Sequence, residues 1–279
     1  MGAPVEAMPG DKPDRGRVAI VTGAGSGIGR ATALLFAERG ASVIAADIDE
    51  VAARETGALA KAADGTLLAV RVDVARPEDA EAMVAAALGT FGRLDVLVND
   101  AAVLVSKSAA DTTPEEWNRV IGVNLTGTYL CSRAALRPML HQASGVIVNL
   151  ASPHAFQTGR AIAAYAASKG GIVALTRQMA LDYGQHGIRV NCVSPGAIDT
   201  PMLRADIQQG VDWEANLAGW ERNQPIGRLG TPEDIARVIV WLASPDAGFV
   251  MGATIVADGG LLAQLLPYTS PRSKENTPA

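Results

Sequence analysis

The chain has 279 residues, 48% of them hydrophobic but only 4% aromatic, with a net charge of −5 and two cysteines. That length suits one large domain with a full core better than two small ones. The acidic balance and the absence of basic runs argue against a nucleic-acid or anionic-membrane partner, and no apolar stretch nears the roughly 18 residues of a membrane span.

Residues 1–15 hold no apolar signal-peptide region and read as a disordered leader. Beyond them, short β-branched runs alternate with longer Ala-rich helical patterns, the signature of repeated βαβ units around a parallel sheet. The predicted strands are Val18–Thr22, Ser42–Ala46, Leu67–Val72, Leu94–Val98, Gly145–Leu150, Arg189–Val193 and Thr254–Val256. Their near-continuous apolar character fits strands covered on both faces. Helical patterns fall near 28–39, 50–62, 78–90, 114–141, 163–184 and 232–243. Together these elements predict a single α/β domain over 16–266, a doubly wound seven-stranded parallel sheet with helices on both faces.

Residues 197–229 break the rhythm before the last helix. Met202, Leu203, Trp213, Leu217 and Trp220 predict either a helical lid over a crevice or a helix pair packed into the core. The segment 267–279 is polar and reads as a loose tail. Cys131 and Cys192 sit in apolar stretches, predicting reduced core cysteines and a cytoplasmic protein. His141, His154 and His186 are scattered without ligand spacing, so no metal site is predicted.

Thr22-Gly23-Ala24-Gly25-Ser26-Gly27-Ile28-Gly29 follows the first strand and opens a helix. Glycine there permits the tight turn and lets backbone amides approach a pyrophosphate at the positive helix N-terminus. Asp47 ends the second strand. A carboxylate at that place can accept both ribose hydroxyls of an adenosine and repel a 2′-phosphate, or it can cap the next helix. Neither Ser26 nor Ile48 offers a cation, so the pattern predicts NAD over NADP.

Tyr165 and Lys169 lie four residues apart in a segment predicted helical, so their side chains share a face. An ammonium beside a phenol favours phenolate, lowering the tyrosine pKa from about 10 and making a base. The same spacing also occurs on ordinary exposed helix faces. Ser152 lies just past the fifth strand, at the carboxyl edge where doubly wound sheets bind ligands.

In their order and spacing these motifs resemble the short-chain dehydrogenase/reductase family, in its Tyr-x-x-x-Lys subgroup of about 250 residues. The resemblance runs from about Arg17 to Gly260 and implies a fold of Rossmann type. It implies a catalytic set of Asn124, Ser152, Tyr165 and Lys169. Tyr165 would be the base, and Ser152 would hold the substrate oxygen. Lys169 would tune the phenol and bind the nicotinamide ribose. The Asn124 carbonyl would hold a water linking Lys169 to solvent, although a side-chain bond that kinks the long helix also accounts for this asparagine.

Gly23, Ser26, Gly27 and Ile28 would cradle the dinucleotide, with Asp47 on its ribose. Asp73 and Val74 would flank the adenine, Asp73 having a helix N-cap as its other reading. Asn99-Asp100-Ala101-Ala102 stands where the family carries Asn-Asn-Ala-Gly. Asn99 and Ala101 would meet the cofactor, Asn99 being equally suited to tying the sheet together, and Asp100 adds a charge. Pro195, Ile198 and Thr200 would meet the nicotinamide. His154 and Met202 would line the substrate pocket, a solvent-facing His154 being the other reading.

The function so implied is NAD-dependent hydride transfer between a small secondary alcohol and its ketone. The alternatives are an NADPH-dependent ketoreductase, such as a 3-oxoacyl reductase, and a non-catalytic dinucleotide sensor. The resemblance also implies a homotetramer paired through the helices 114–141 and 163–184.

Overall fold

A computed structural model describes residues 12–62, 66–208 and 213–264. The strands are β1 (Val18–Thr22), β2 (Ser42–Asp47), β3 (Thr66–Arg71), β4 (Val96–Asn99), β5 (Gly145–Leu150), β6 (Ile188–Pro195) and β7 (Thr254–Ala257). They form one parallel sheet in the order β3-β2-β1-β4-β5-β6-β7. The helices are α1 (Gly27–Glu38), α2 (Glu50–Ala62), α3 (Pro77–Phe91), α4 (Pro114–Ile121), α5 (Gly127–Gln142), α6 (Ala163–Tyr183), α7 (Pro201–Gln208), α8 (Trp213–Asn223) and α9 (Pro232–Ala243).

Alternate strand residues serve opposite helix layers, which is why the strands are apolar at every position. In β1, Val18 and Ile20 pack with Met83 of α3 and Met139 of α5, while Ala19 and Val21 pack with Phe36 of α1 and Ile239 of α9. The chain builds outward from β1 to β3, then returns to add β4 on the other side. Crossovers therefore leave β1 and β4 in opposite directions, and a crevice opens at their carboxyl ends.

Local signals set the helix starts. Thr113 and Glu116 form a reciprocal capping box ahead of α4, and Thr231 and Asp234 do the same for α9, each with Pro at the first position. Beneath the crevice a polar row crosses the sheet in register, Thr22 opposite Asn99, Asn99 opposite Asn149, and Asn149 opposite Cys192. Asn99 Nδ2 donates to Asn149 Oδ1 at 2.8 Å and to Ser132 Oγ at 3.0 Å, and Asn149 Nδ2 donates to Thr176 Oγ1 at 2.9 Å.

The structure departs from the sequence expectations in three places. The helix predicted over 114–141 is broken by a π-helical turn, Gly122–Thr126, where the Gly127 amide reaches back to the Gly122 carbonyl. Residues 12–15 of the stretch read as a disordered leader are ordered, in a turn whose buried Asp14 carboxylate pairs with Arg17 and Arg39. Strand bounds shift by one or two residues at several ends, where pairing frays. Residues 1–11 of that leader and the tail over 267–279 lie outside the described residues. No described helix is long and apolar enough to cross a membrane.

Candidate active site

The crevice is a cavity of about 700 Å³. Its floor on one side is the glycine turn, where Gly23 and Gly27 have φ of +69° and +52°, left-handed values that a side chain disfavours. A Cβ on Gly29 would stand 2.2 Å from the Gly23 carbonyl oxygen. The turn therefore lies close against the start of α1 and presents that helix's positive end to the cavity, which suits a pyrophosphate.

Asp47 Oδ2 accepts from the Gly25 amide at 2.8 Å and Oδ1 from the Asp49 amide at 2.9 Å. The amides that open α2, those of Val51 and Ala52, are taken by Asp49. Asp47 thus braces the glycine turn and faces the cavity, and the helix-capping alternative does not apply. Ser26, Ile28, Asp73 and Val74 line the same half. Asp73 Oδ1 accepts from the Ala75 amide at 3.0 Å, and the residue at the N-cap of α3 is Arg76, so Asp73 is not that cap. A turn with no room for a Cβ at Gly23, Gly25 or Gly29, with a carboxylate at the neighbouring strand end, fits a dinucleotide.

At the other half, α6 projects Tyr165 and Lys169 into the cavity from one face, with Ser152 facing them from the end of β5. Ser152 Oγ accepts from the His154 amide at 3.3 Å, and the residue lines the cavity with the phenol. Lys169 Nζ donates to the Leu150 carbonyl at 2.7 Å and lies 5.5 Å from the centroid of the Tyr165 ring. Burial pushes Tyr165 up to about 12, with the Ser152 bond opposing and the Asp100 charge adding. Burial likewise pushes Lys169 down, with Asp100 opposing. The ammonium was expected to lower the phenol pKa; instead desolvation dominates, and the cation is turned toward a carbonyl.

Asn124 occupies the middle of the π turn and is fully buried. Its Oδ1 accepts from the Val103 amide at 2.8 Å, and its Nδ2 donates to the Val103 carbonyl at 2.9 Å and to Ser168 Oγ at 3.1 Å. Ser168 Oγ donates in turn to the Tyr165 carbonyl at 2.7 Å. Asn124 therefore ties the segment after β4 to the helix carrying the phenol. Its own carbonyl accepts from Thr128 Oγ1 at 2.7 Å. Neither Asn124 nor Asn99 lines the cavity. Asn99 turns its amide into the sheet, in the arrangement of the sheet-tying alternative, whereas Ala101 lines the cavity.

Pro195, Ile198 and Thr200 line the cavity beyond β6. His154 lines it too, its ring edge-on to Tyr165 at 6.2 Å between centroids. Met202 stands on α7, within the stretch read as a lid, which is folded as α7 and α8. Arg204 and Arg228 are exposed and paired with Asp199 and Asp234. Among the described residues, no group of three or more His, Cys, Asp or Glu side chains converges on a metal position.

Over residues 23–262 the chain matches the family described as enoyl-(acyl carrier protein) reductase. It is 42% identical over 250 residues to the short chain dehydrogenase/reductase astE of Aspergillus oryzae, covering 88% of this chain and 95% of that one. It is 41% identical over 249 residues to 3beta-hydroxysteroid dehydrogenase 1 of Eggerthella lenta, covering 88% and 94%. The crystal structure of levodione reductase superposes with a TM-score of 0.87 at 34% identity, covering 89% of this chain and 98% of that one.

The chain belongs to the short-chain dehydrogenase/reductase family. It is an oxidoreductase of the alcohol dehydrogenase and ketoreductase kind, in a family whose dehydrogenases act on hydroxyl groups with nicotinamide dinucleotides. Two features of this short-chain dehydrogenase/reductase escaped sequence reasoning. Ser106, on the segment after β4, donates its hydroxyl to Asp206 of α7, and both line the cavity. They are 100 residues apart, and no local pattern pairs them. The second is the environment of Asp100. Its charge is visible in the sequence, but its surroundings are not: Oδ2 lies 2.8 Å from where a Cβ on Gly29 would be, and burial raises its pKa.

Proposed function

We propose that the protein transfers hydride reversibly between a secondary alcohol and its ketone, using NAD. The observation that carries this reading is the grouping of Ser152, Tyr165 and Lys169 at one end of a crevice whose other end holds Asp47 and the glycine turn. The bound dinucleotide supplies the hydride acceptor or donor at its nicotinamide. Tyr165 takes the proton from the alcohol hydroxyl, or returns it to the carbonyl oxygen. Ser152 hydrogen-bonds that same oxygen and stabilises charge developing there. Lys169 would hold the nicotinamide ribose, and its charge lies beside Tyr165, 5.5 Å from the ring centroid. Asn124 positions the helix that carries both.

The amides at Gly23, Ser26, Gly27 and Ile28 receive the pyrophosphate. Asp73, Val74 and Ala101 enclose the adenosine and ribose, and Pro195, Ile198 and Thr200 meet the nicotinamide. Asp47 supports NAD over NADP, since a carboxylate at the ribose repels a 2′-phosphate. His154 and Met202 flank the alcohol, and α7 and α8 serve as a lid. The walls contributed by Val103, Leu104, Ile162 and Trp220 suit an apolar ring alcohol. Exposed Trp117, Tyr129 and Leu181 support a homotetramer joined through α4–α6, which light scattering of the pure protein checks. The two buried free cysteines support a cytoplasmic location.

The test is a panel of cyclic and acyclic secondary alcohols with NAD and with NADP, followed by absorbance of the reduced cofactor. Tyr165→Phe should abolish turnover while NAD still binds. Turnover retained in that variant would remove the assigned base, and preference for NADP would favour the ketoreductase alternative.

A further inference from the structure

The segment leaving β4 is fixed by Thr22 Oγ1, which accepts from the amides of Asp100 and Ala101 at 3.1 and 3.2 Å. That fixes where the Asp100 side chain begins. Its carboxylate lies against Gly29, with Oδ2 2.8 Å from where a Gly29 Cβ would be. The group lines the crevice between the glycine turn and the Tyr165–Lys169 pair, and its charge acts on both of those side chains. Nothing in the hydride transfer outlined above uses a carboxylate at this place.

The charges facing Asp100 are Lys169 from α6 and Asp47 from β2. Lys169 brings a positive charge to the end of the crevice where the nicotinamide must lie to face Tyr165. The oxidised nicotinamide ring carries a second positive charge, and the reduced ring carries none. Like charges repel strongly in a site screened from water. We propose that Asp100 is a specificity-determining charge that makes the crevice favour the oxidised dinucleotide over the reduced one, an inference that rests on the NAD reading above. The carboxylate offsets the field of Lys169 where the ring charge resides. An asparagine keeps the shape of the side chain against Gly29 but supplies no charge.

The pyrophosphate and adenosine are common to both redox forms, so their contributions cancel in the ratio of the two dissociation constants. The experiment compares wild type with Asp100→Asn and Asp100→Ser at a pH of about 8, above the raised pKa of the Asp100 carboxylate. Binding of NADH is read by its fluorescence, NAD by competition, and ADP-ribose serves as a ligand with no ring. Both variants should raise the NAD-to-NADH ratio of dissociation constants by about three- to tenfold, with ADP-ribose affinity little changed. An unchanged ratio would overturn the proposal, as would an equal loss of affinity for all three ligands, which marks a merely structural role. Wild type that binds ADP-ribose but neither NAD nor NADH would overturn the cofactor reading and this inference together.

Discussion

The ammonium of Lys169 is bonded at 2.7 Å to the carbonyl of Leu150, the last residue of β5, so the sheet itself fixes the cation's height beside Tyr165. Lys169→Met removes the charge and leaves a buried carbonyl without its donor. Turnover should fall by on the order of a hundredfold or more, and the melting temperature should drop by a few degrees, as for about 1–2 kcal/mol in a chain of this size. Steady-state rates together with a thermal melt check both effects.

Ser152 acts on Tyr165 against burial, because its bond favours the ionised phenol. Ser152→Ala removes that help, so the tyrosine holds its proton more tightly and its pKa rises further. The ascending limb of the alcohol-oxidation rate against pH should move to higher pH. At a pH of about 8 the rate should fall by roughly a hundredfold. A rate profile over the range in which the wild type is stable would contradict the assignment if the limb stayed put or moved to lower pH.

Asn124 makes three side-chain hydrogen bonds inside a fully buried π turn. Asn124→Ala would leave the Val103 amide and carbonyl without their partner, at a cost of about 2–3 kcal/mol. Chemical denaturation should show that loss. Asn124→Asp, which keeps the acceptor for the Val103 amide but not the donor, should fall between alanine and wild type.

Two glycines separate cofactor geometry from helix propensity. A methyl on Gly29 meets the Gly23 backbone at 2.2 Å, whereas a methyl on Gly89 of α3 meets nothing within 4 Å. Gly29→Ala should weaken NAD binding at least tenfold by calorimetry, because the turn must shift away from the pyrophosphate. Gly89→Ala should leave binding unchanged and add about 0.5–1 kcal/mol of stability.

Strands buried on both faces announce themselves as unbroken apolar runs, so β1, β2 and β5 were legible almost to the residue. The glycine turn was legible because it joins a strand to a helix, and Tyr165 with Lys169 because one helical turn sets their spacing. The π turn was legible only as a kink at Asn124, because Gly122, Asn124 and Gly127 weaken a helical pattern without fixing where an extra residue enters. The pKa of Tyr165 was misjudged because the sequence displays charge but not desolvation. Asp100 was visible as a departure from the family pattern, yet its approach to Gly29 joins segments far apart in the chain. The Ser106–Asp206 contact is of the same kind and exists only once α7 is folded.

The in-register row Thr22–Asn99–Asn149–Cys192 beneath the crevice also bears on how the enzyme comes to be assembled. Apolar side chains tolerate a strand sliding by one position, because one branched hydrocarbon substitutes for another. An amide that meets its partner at 2.8 Å does not: a shifted β4 or β5 would strand donors and acceptors in a dry interior. Misaligned strands are thus rejected at the very layer that supports Ser152 and Lys169, so a molecule that completes its sheet has also aligned the groups proposed for catalysis.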